Sequence, residues 1–383
     1  MITLAAPRLF DGVTFSRDRI VVIDADRIKA VADRAPVDAR VEELPSDSIL
    51  CPGFIDLQVN GGAGIMLNNA ITVRGMAAIA SAHAQNGTTT ILPTLISGSR
   101  SQMREAISVT EAAVAQAVPG IGGLHLEGPF ISTTRSGVHP LEAILPMEDA
   151  DVALFAAPRA LKLMVTLAPD AVSPSRIALL SQSGVIVFAG HTDASYERLQ
   201  DALRAGISGF THIFNAMSQL GSRSPGTIGA ALVHRNAYAG IIADGHHVHP
   251  AVVNTAYAAK GAARLFFVSD AMATVGSVTN SFMLNSEPIR LKNGRLTAEG
   301  GALAGAHLTV AEAVRNAVRS AGIPLADALR MATTTPAACV GMTDRGRIAA
   351  GCRADIVAID GSLRVIGVWQ NGNKLLGAGS NYD

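Results

Sequence analysis

The chain has 383 residues, 49% of them hydrophobic and 16% charged, which is enough for one large domain with a small one beside it. Lys plus Arg and Asp plus Glu both number 31, so the formal net charge is zero, a balance that points to neither nucleic acid nor a membrane surface as partner. Three scattered cysteines, Cys51, Cys339 and Cys352, make no disulfide framework; with no signal peptide read at the N-terminus and no apolar run of membrane-spanning length, a reducing cytoplasm is expected.

Residues 1–50 read as short strands and turns, with the β-branched run Ile20 to Ile23, a turn at Asp24-Ala25-Asp26 and a return strand from Arg27 to Val31. Residues 346–383 look alike: a strand at Asp355 to Ile359, a turn at Asp360-Gly361, a strand at Val365 to Trp369, and Asn371-Gly372-Asn373. The simplest packing joins the two ends as one small β domain. Residues 51–345 alternate differently. Apolar segments at Gly53–Val59, Thr88–Pro93, Ile121–Leu126, Lys162–Leu167, Val185–Ala189, Gly209–His212, Ala239–Ala243 and Leu265–Ser269 read as eight strands. Alanine-rich, helix-favouring stretches such as Val73–Gln85, Met103–Ala117, Tyr196–Ala205 and Pro250–Lys260 lie between them. The pattern suggests an α/β fold with a (β/α)8 barrel, and an open doubly wound sheet is the rival, because strand count alone does not decide closure.

Polar residues follow these strands directly: Glu127 after strand three, His191 after strand five, His212 after strand six, Asp244 to His247 after strand seven and Asp270 after strand eight. In a barrel the C-terminal strand ends carry the active site. One carboxylate and two imidazoles from such ends suit a borderline-soft divalent metal with an open position. Glu127, His191 and His212 are therefore the expected ligands, and Asp270 the general base and later acid. Taken singly, a strand-end His is more often a hydrogen-bonded residue than a ligand, and an Asp there is often a helix cap. Four at the ends of strands three, five, six and eight weaken that reading. The sequence has no G-x-S-x-G elbow and no phosphate-binding G-x-x-x-x-G-K-[ST] loop. His83, inside a helical pattern, reads as a packing residue.

Pro52 to Asp56 resembles the entry to strand one of the amidohydrolase superfamily. In order, His125 to Phe130 (HLEGPF), Gly190-His191, Thr211 to Met217 (THIFNAM), Asp244 to Val248 (DGHHV), Ser269 to Met272 (SDAM) and Leu303 to Ala306 (LAGA) are similar to the N-acetylglucosamine-6-phosphate deacetylase family. The resemblance covers nearly the whole chain. It implies a barrel with a small β-sandwich from both termini, and a metal-dependent hydrolase that releases acetate from N-acetylglucosamine 6-phosphate. It also implies Glu127, His191 and His212 as ligands of one divalent ion, zinc first, with iron, manganese or cobalt as other occupants. By resemblance Asp270 is the acid/base, His139 polarises the acetyl carbonyl, and Asn215, Ala216, Arg223 and His247 bind the sugar phosphate. A homodimer is implied as well, with Arg223 and His247 reaching across the interface.

Gln58-Val59-Asn60 stands where the wider superfamily often has His-x-His. Neither amide is a strong zinc ligand, so a single metal per chain is expected. The rivals are the same chemistry on N-acetylgalactosamine 6-phosphate, a cyclic-amide hydrolase, which the missing His-x-His disfavours, and a non-catalytic sugar-phosphate sensor on the same fold. A sensor has no need of a base beside a metal.

Overall fold

Eight parallel strands lie side by side in sequence order: Phe54–Val59, Thr88–Ile96, Leu124–Glu127, Leu163–Leu167, Ile186–Ala189, Gly209–Phe210, Tyr238–Ile241 and Leu265–Phe267. The coordinates are a computed structural model that describes residues 1–284 and 287–376; of the terminal segment expected over 346–383, positions 377–383 lie outside the described residues. The strands are buried almost without interruption, as expected of a parallel sheet covered on both faces. The first and last meet: Val59 bridges Ala271 in parallel, and Asp270 N–H donates to the Gln58 carbonyl at 3.1 Å. Those contacts settle closure in favour of the barrel. Below them the buried Asp56 carboxylate accepts the Ser269 N–H at 3.2 Å on each oxygen. Burial raises its pKa to about 7, against the opposing bonds from Ser269 and Gln58.

Helices fill the spaces between strands and carry local start and stop signals. Arg100–Ala115 begins at Ser99, whose hydroxyl takes the Gln102 N–H while the Gln102 side chain takes the Ser99 N–H. Tyr196–Ala205 begins at Ser195 and stops at Gly206, φ 120°. Val310–Arg319 starts at a Thr309/Glu312 box, and its Asn316 amide donates to the Ala243 carbonyl at 2.9 Å, tying the helix to the end of strand seven.

Both termini build one further sheet, in the order Asn373–Leu376, Val365–Gln370, Ile356–Ile359, Ile49–Pro52, Ile2–Phe10, Phe15–Asp24, Arg27–Ala32, with Val41–Glu43 beside Ile2–Phe10. The two ends join where Ile356–Ile359 pairs antiparallel with Ile49–Pro52. Leu4, Leu9, Val21, Ile23, Ile356 and Trp369 form a core of their own there.

Two features depart from the sequence reading. Strand two does not stop at Pro93 but runs to Ile96. The proline falls where the register against strand one shifts between Asp56 and Val59, and the Thr94 hydroxyl takes the Val59 N–H at 2.9 Å, so the ladder tolerates its missing donor. A three-stranded antiparallel sheet, Ser281–Leu284, Glu287–Lys292 and Arg295–Thr297, is inserted after strand eight. Its Leu284, Ile289 and Leu296 pack with Met66, Ile96 and Met272 beside the barrel mouth.

Candidate active site

A cavity of about 180 Å³ opens at the C-terminal strand ends and is lined by Asn60, Glu127, His139, His191, His212, Asn215, Ala216, His247 and Asp270, with Ile96, Val138 and Met272 as apolar wall. Eight of the nine residues expected to act are therefore brought together. Arg223 is the exception: it lies exposed on the loop before the helix Gly226–Val233, outside the cavity.

The strand ends aim their side chains through strained backbone. His191 (φ 47°), His212 (φ 26°), Ala216 (φ 48°) and Asp270 (φ 51°) all lie in the left-handed region, which costs a non-glycine residue about 1 kcal/mol or more. Such a residue interrupts the pleat, so the side chain turns inward over the barrel instead of following strand alternation. Gly190, just before His191, lets the ends of strands four and six pack closely against strand five: a Cβ there would meet Thr166 Cγ2 at 2.7 Å and Thr211 Cβ at 2.9 Å.

Glu127 Oε1 lies 2.9 Å from His212 Nε2 and 3.3 Å from His191 Nε2, and the two Nε2 atoms are 3.1 Å apart. All three residues are at most 5% exposed. His191 Nδ1–H donates to the Arg135 carbonyl at 2.9 Å, which leaves Nε2 with a lone pair facing the other two atoms. Two imidazoles and a carboxylate converging in a buried spot make the donor set of a divalent cation. Burial raises the Glu127 pKa, but the bonds from His191 and His212 outweigh it and hold the carboxyl well below its usual range. For His212, burial opposes charge, yet the bond to Glu127 wins and its pKa is raised. Glu127, His139 and His191 also place ligand-type atoms within 4.8 Å of one another, so geometry offers two sets of three.

Asp270 stands beside this cluster. Its Oδ1 accepts from Asn60 Nδ2 at 2.7 Å and from Gln58 Nε2 at 3.1 Å, while Gln58 Nε2 also reaches Glu127 Oε1 at 2.9 Å. Oδ1 is thus occupied, and Oδ2 is the oxygen left to exchange a proton. Burial, then the Glu127 charge, raises the Asp270 pKa. The two amides that replace His-x-His are therefore donors that orient the carboxylates. Sequence gave their identity but not that role.

His247 corrects an expectation. It lines the cavity of its own chain rather than serving only a neighbour's. The cause is Asp244: its Oδ1 takes the backbone N–H groups of His246 and His247, both at 2.8 Å, and its Oδ2 takes His247 Nδ1 at 2.6 Å. Burial raises the Asp244 pKa, but the His247 bonds pull it below the ordinary carboxylate value. On the opposite wall, His139 Nδ1 meets the Ser97 hydroxyl at 2.7 Å. Ser97 was not anticipated, because strand two was expected to end at Pro93. The Arg135 guanidinium, whose carbonyl holds His191, also pairs with Asp193 at 2.7 Å, closing the loop over the ligand cluster.

The sequence matches the amidohydrolase family over residues 49–375. It is 40% identical over 326 residues to N-acetylgalactosamine-6-phosphate deacetylase of Shewanella sp. (strain ANA-3), covering 85% of this chain and 83% of that one. It is 32% identical over 370 residues to N-acetylglucosamine-6-phosphate deacetylase of Haemophilus influenzae, covering 93% and 94% of the two chains. Its fold is similar to the crystal structure of N-acetylglucosamine-6-phosphate deacetylase from Pasteurella multocida, with TM-score 0.94, 31% identity and coverage of 98% and 100%.

Proposed function

The chain belongs to the amidohydrolase family, and from that premise we propose that it hydrolyses the acetamide of N-acetylglucosamine 6-phosphate to glucosamine 6-phosphate and acetate. The observation that carries the reading is the convergence of Glu127, His191 and His212 within 3.3 Å of one another, beside an Asp270 whose one oxygen is tied to Asn60 and Gln58.

Glu127, His191 and His212 would hold one divalent ion, zinc first. A cation so held supplies Lewis acidity, lowering the pKa of water and polarising a carbonyl. Asp270 takes a proton from the attacking water and returns it to the leaving nitrogen. His139 donates to the acetyl oxygen as negative charge develops on it. His247, Asn215 and the Ala216 backbone face the sugar phosphate. Arg223, exposed on its loop, is suited to complete the phosphate site of a second copy in a homodimer, since a guanidinium binds phosphate in bidentate fashion. The unpaired cysteines suit a cytoplasmic enzyme.

The galacto epimer is a second reading, favoured by the 40% identity to the Shewanella protein. Acetate release from both 6-phosphates, beside the unphosphorylated sugar and with or without chelator, tests both readings. We expect fast, chelator-sensitive release that needs the phosphate and disappears in Asp270→Asn. Absence of release after reloading with zinc, iron, manganese or cobalt would overturn the reading, and a strong preference for the galacto substrate would select the second.

A further inference from the structure

His139 lines the cavity and lies against His191, with ring centroids 4.4 Å apart. Its Nδ1 is turned away, toward the end of barrel strand two. There Ser97 approaches it twice, with its backbone N–H at 3.2 Å and its hydroxyl at 2.7 Å. A backbone N–H can only donate. Nδ1 therefore presents its lone pair, and the hydroxyl that shares it donates too. A neutral imidazole with a bare Nδ1 carries its proton on Nε2. We infer that Ser97 is a positioning residue that sets the tautomer of His139, so that Nε2–H serves as a neutral hydrogen-bond donor to the acyl oxygen. The inference deepens the proposed reaction and rests on it for the identity of that oxygen.

The neighbouring His191 is fixed in the opposite tautomer, with Nδ1–H given to the Arg135 carbonyl and the lone pair on Nε2. Two adjacent imidazoles are thus prepared for opposite work, one to accept a cation and one to donate a proton's charge. The assignment also chooses between the two possible ligand sets. A protonated Nε2 cannot ligate and Nδ1 is occupied by Ser97, so His139 is excluded and His212 is the third ligand. Gly128, in the turn after strand three, makes the arrangement possible. At φ 81° it leaves a gap in which any Cβ would fall 2.3 Å from Ser97 Oγ and 3.6 Å from His139 Nδ1. A donor fixed in place before reaction stabilises developing negative charge without reorganisation, and removing one costs about 10²–10³ in turnover.

The test is the tautomer itself. The full chain, labelled with 15N-histidine and reconstituted with zinc, is examined by long-range 1H–15N correlation, the His139 signals being assigned by their loss in His139→Asn. The expected spectrum has the proton on Nε2; a proton on Nδ1, or on both nitrogens, overturns the inference without any variant at Ser97. Ser97→Asp replaces the hydroxyl at 2.7 Å by a charged acceptor, which outweighs the longer backbone donor at 3.2 Å and should move the proton to Nδ1, lowering kcat about 10²–10³-fold with KM changed less than about threefold. Ser97→Ala keeps the backbone donor, so it should keep Nε2–H and lose about tenfold or less. Wild-type kcat in a folded Ser97→Asp variant would refute the role. A chain that releases no acetate yet carries Nε2–H sinks the proposed reaction and leaves the tautomer standing.

Discussion

His83 makes the barrel sensitive to acid in a calculable way. It is fully buried in the helix Val73–Ala84, and its Nε2–H donates to the Gly61 carbonyl at 2.9 Å, while Nδ1 has no partner among the described residues. Burial lowers its pKa from 6.5 to about 4, against a smaller opposing pull from Gly61. Above pH 6.5 the ring is neutral in both folded and unfolded chains and contributes no pH dependence. Between 6.5 and about 4 only the unfolded chain takes the proton, so stability falls as pH falls, by about 1.36 kcal/mol per unit. The loss levels off at about 3 kcal/mol once both states are protonated. His83→Gln keeps an N–H for Gly61 and cannot titrate. Urea unfolding followed by far-UV circular dichroism, from about pH 7 to about pH 4.5, should show the wild-type slope exceeding the variant's by one proton. His125 and His139 add their own acid dependence to both proteins, so only the difference isolates His83. Equal slopes would refute the reasoning, because they would mean that the buried ring is protonated as readily as an exposed one.

Metal analysis of active protein should find one divalent ion per chain; Gln58 and Asn60 spend their amide donors on Glu127 and Asp270, and a second ion at full occupancy would contradict that. Asn60→Leu removes a bond that favours the charged form of Asp270, so the Asp270 pKa rises and the acid limb of the kcat–pH profile moves to higher pH; an unmoved limb argues against Asp270 as base. Arg223→Ala should raise KM for the phosphorylated sugar about tenfold or more, while leaving thermal stability and the unphosphorylated substrate unaffected. Unchanged KM would remove Arg223 from the phosphate site.

Periodicity and punctuation made much of the barrel readable. The helices Tyr196–Ala205 and Pro250–Lys260 start and end where their caps say they should, and polar residues directly after apolar runs marked the working end. What sequence could not carry was direction. The place of His247 across an interface comes from the resemblance alone, since nothing in DGHHV says which way the ring faces; Asp244, three residues back, turns it over its own cavity. Pro93 hid the end of strand two and so hid Ser97, since the register shift that accommodates a proline exists only once two strands are paired. The inserted strands, Ser281–Leu284, Glu287–Lys292 and Arg295–Thr297, are not legible as a sheet because they are short and the first two are largely exposed, so even the alternation of Ile289 to Lys292 makes no apolar segment like those of the barrel.

The left-handed backbone at His191, His212 and Asp270 has a consequence for anyone evolving this chain. At 191 and 212 glycine or asparagine would relax the backbone but strip the buried Glu127 of its imidazole partners, a larger loss. At 270 the balance reverses: asparagine tolerates the left-handed turn, keeps an oxygen for Asn60 and Gln58 and removes a carboxylate charge beside Glu127. Durability and chemistry compete most directly at that one residue, so a library meant to harden the enzyme should hold Asp270 fixed and search elsewhere.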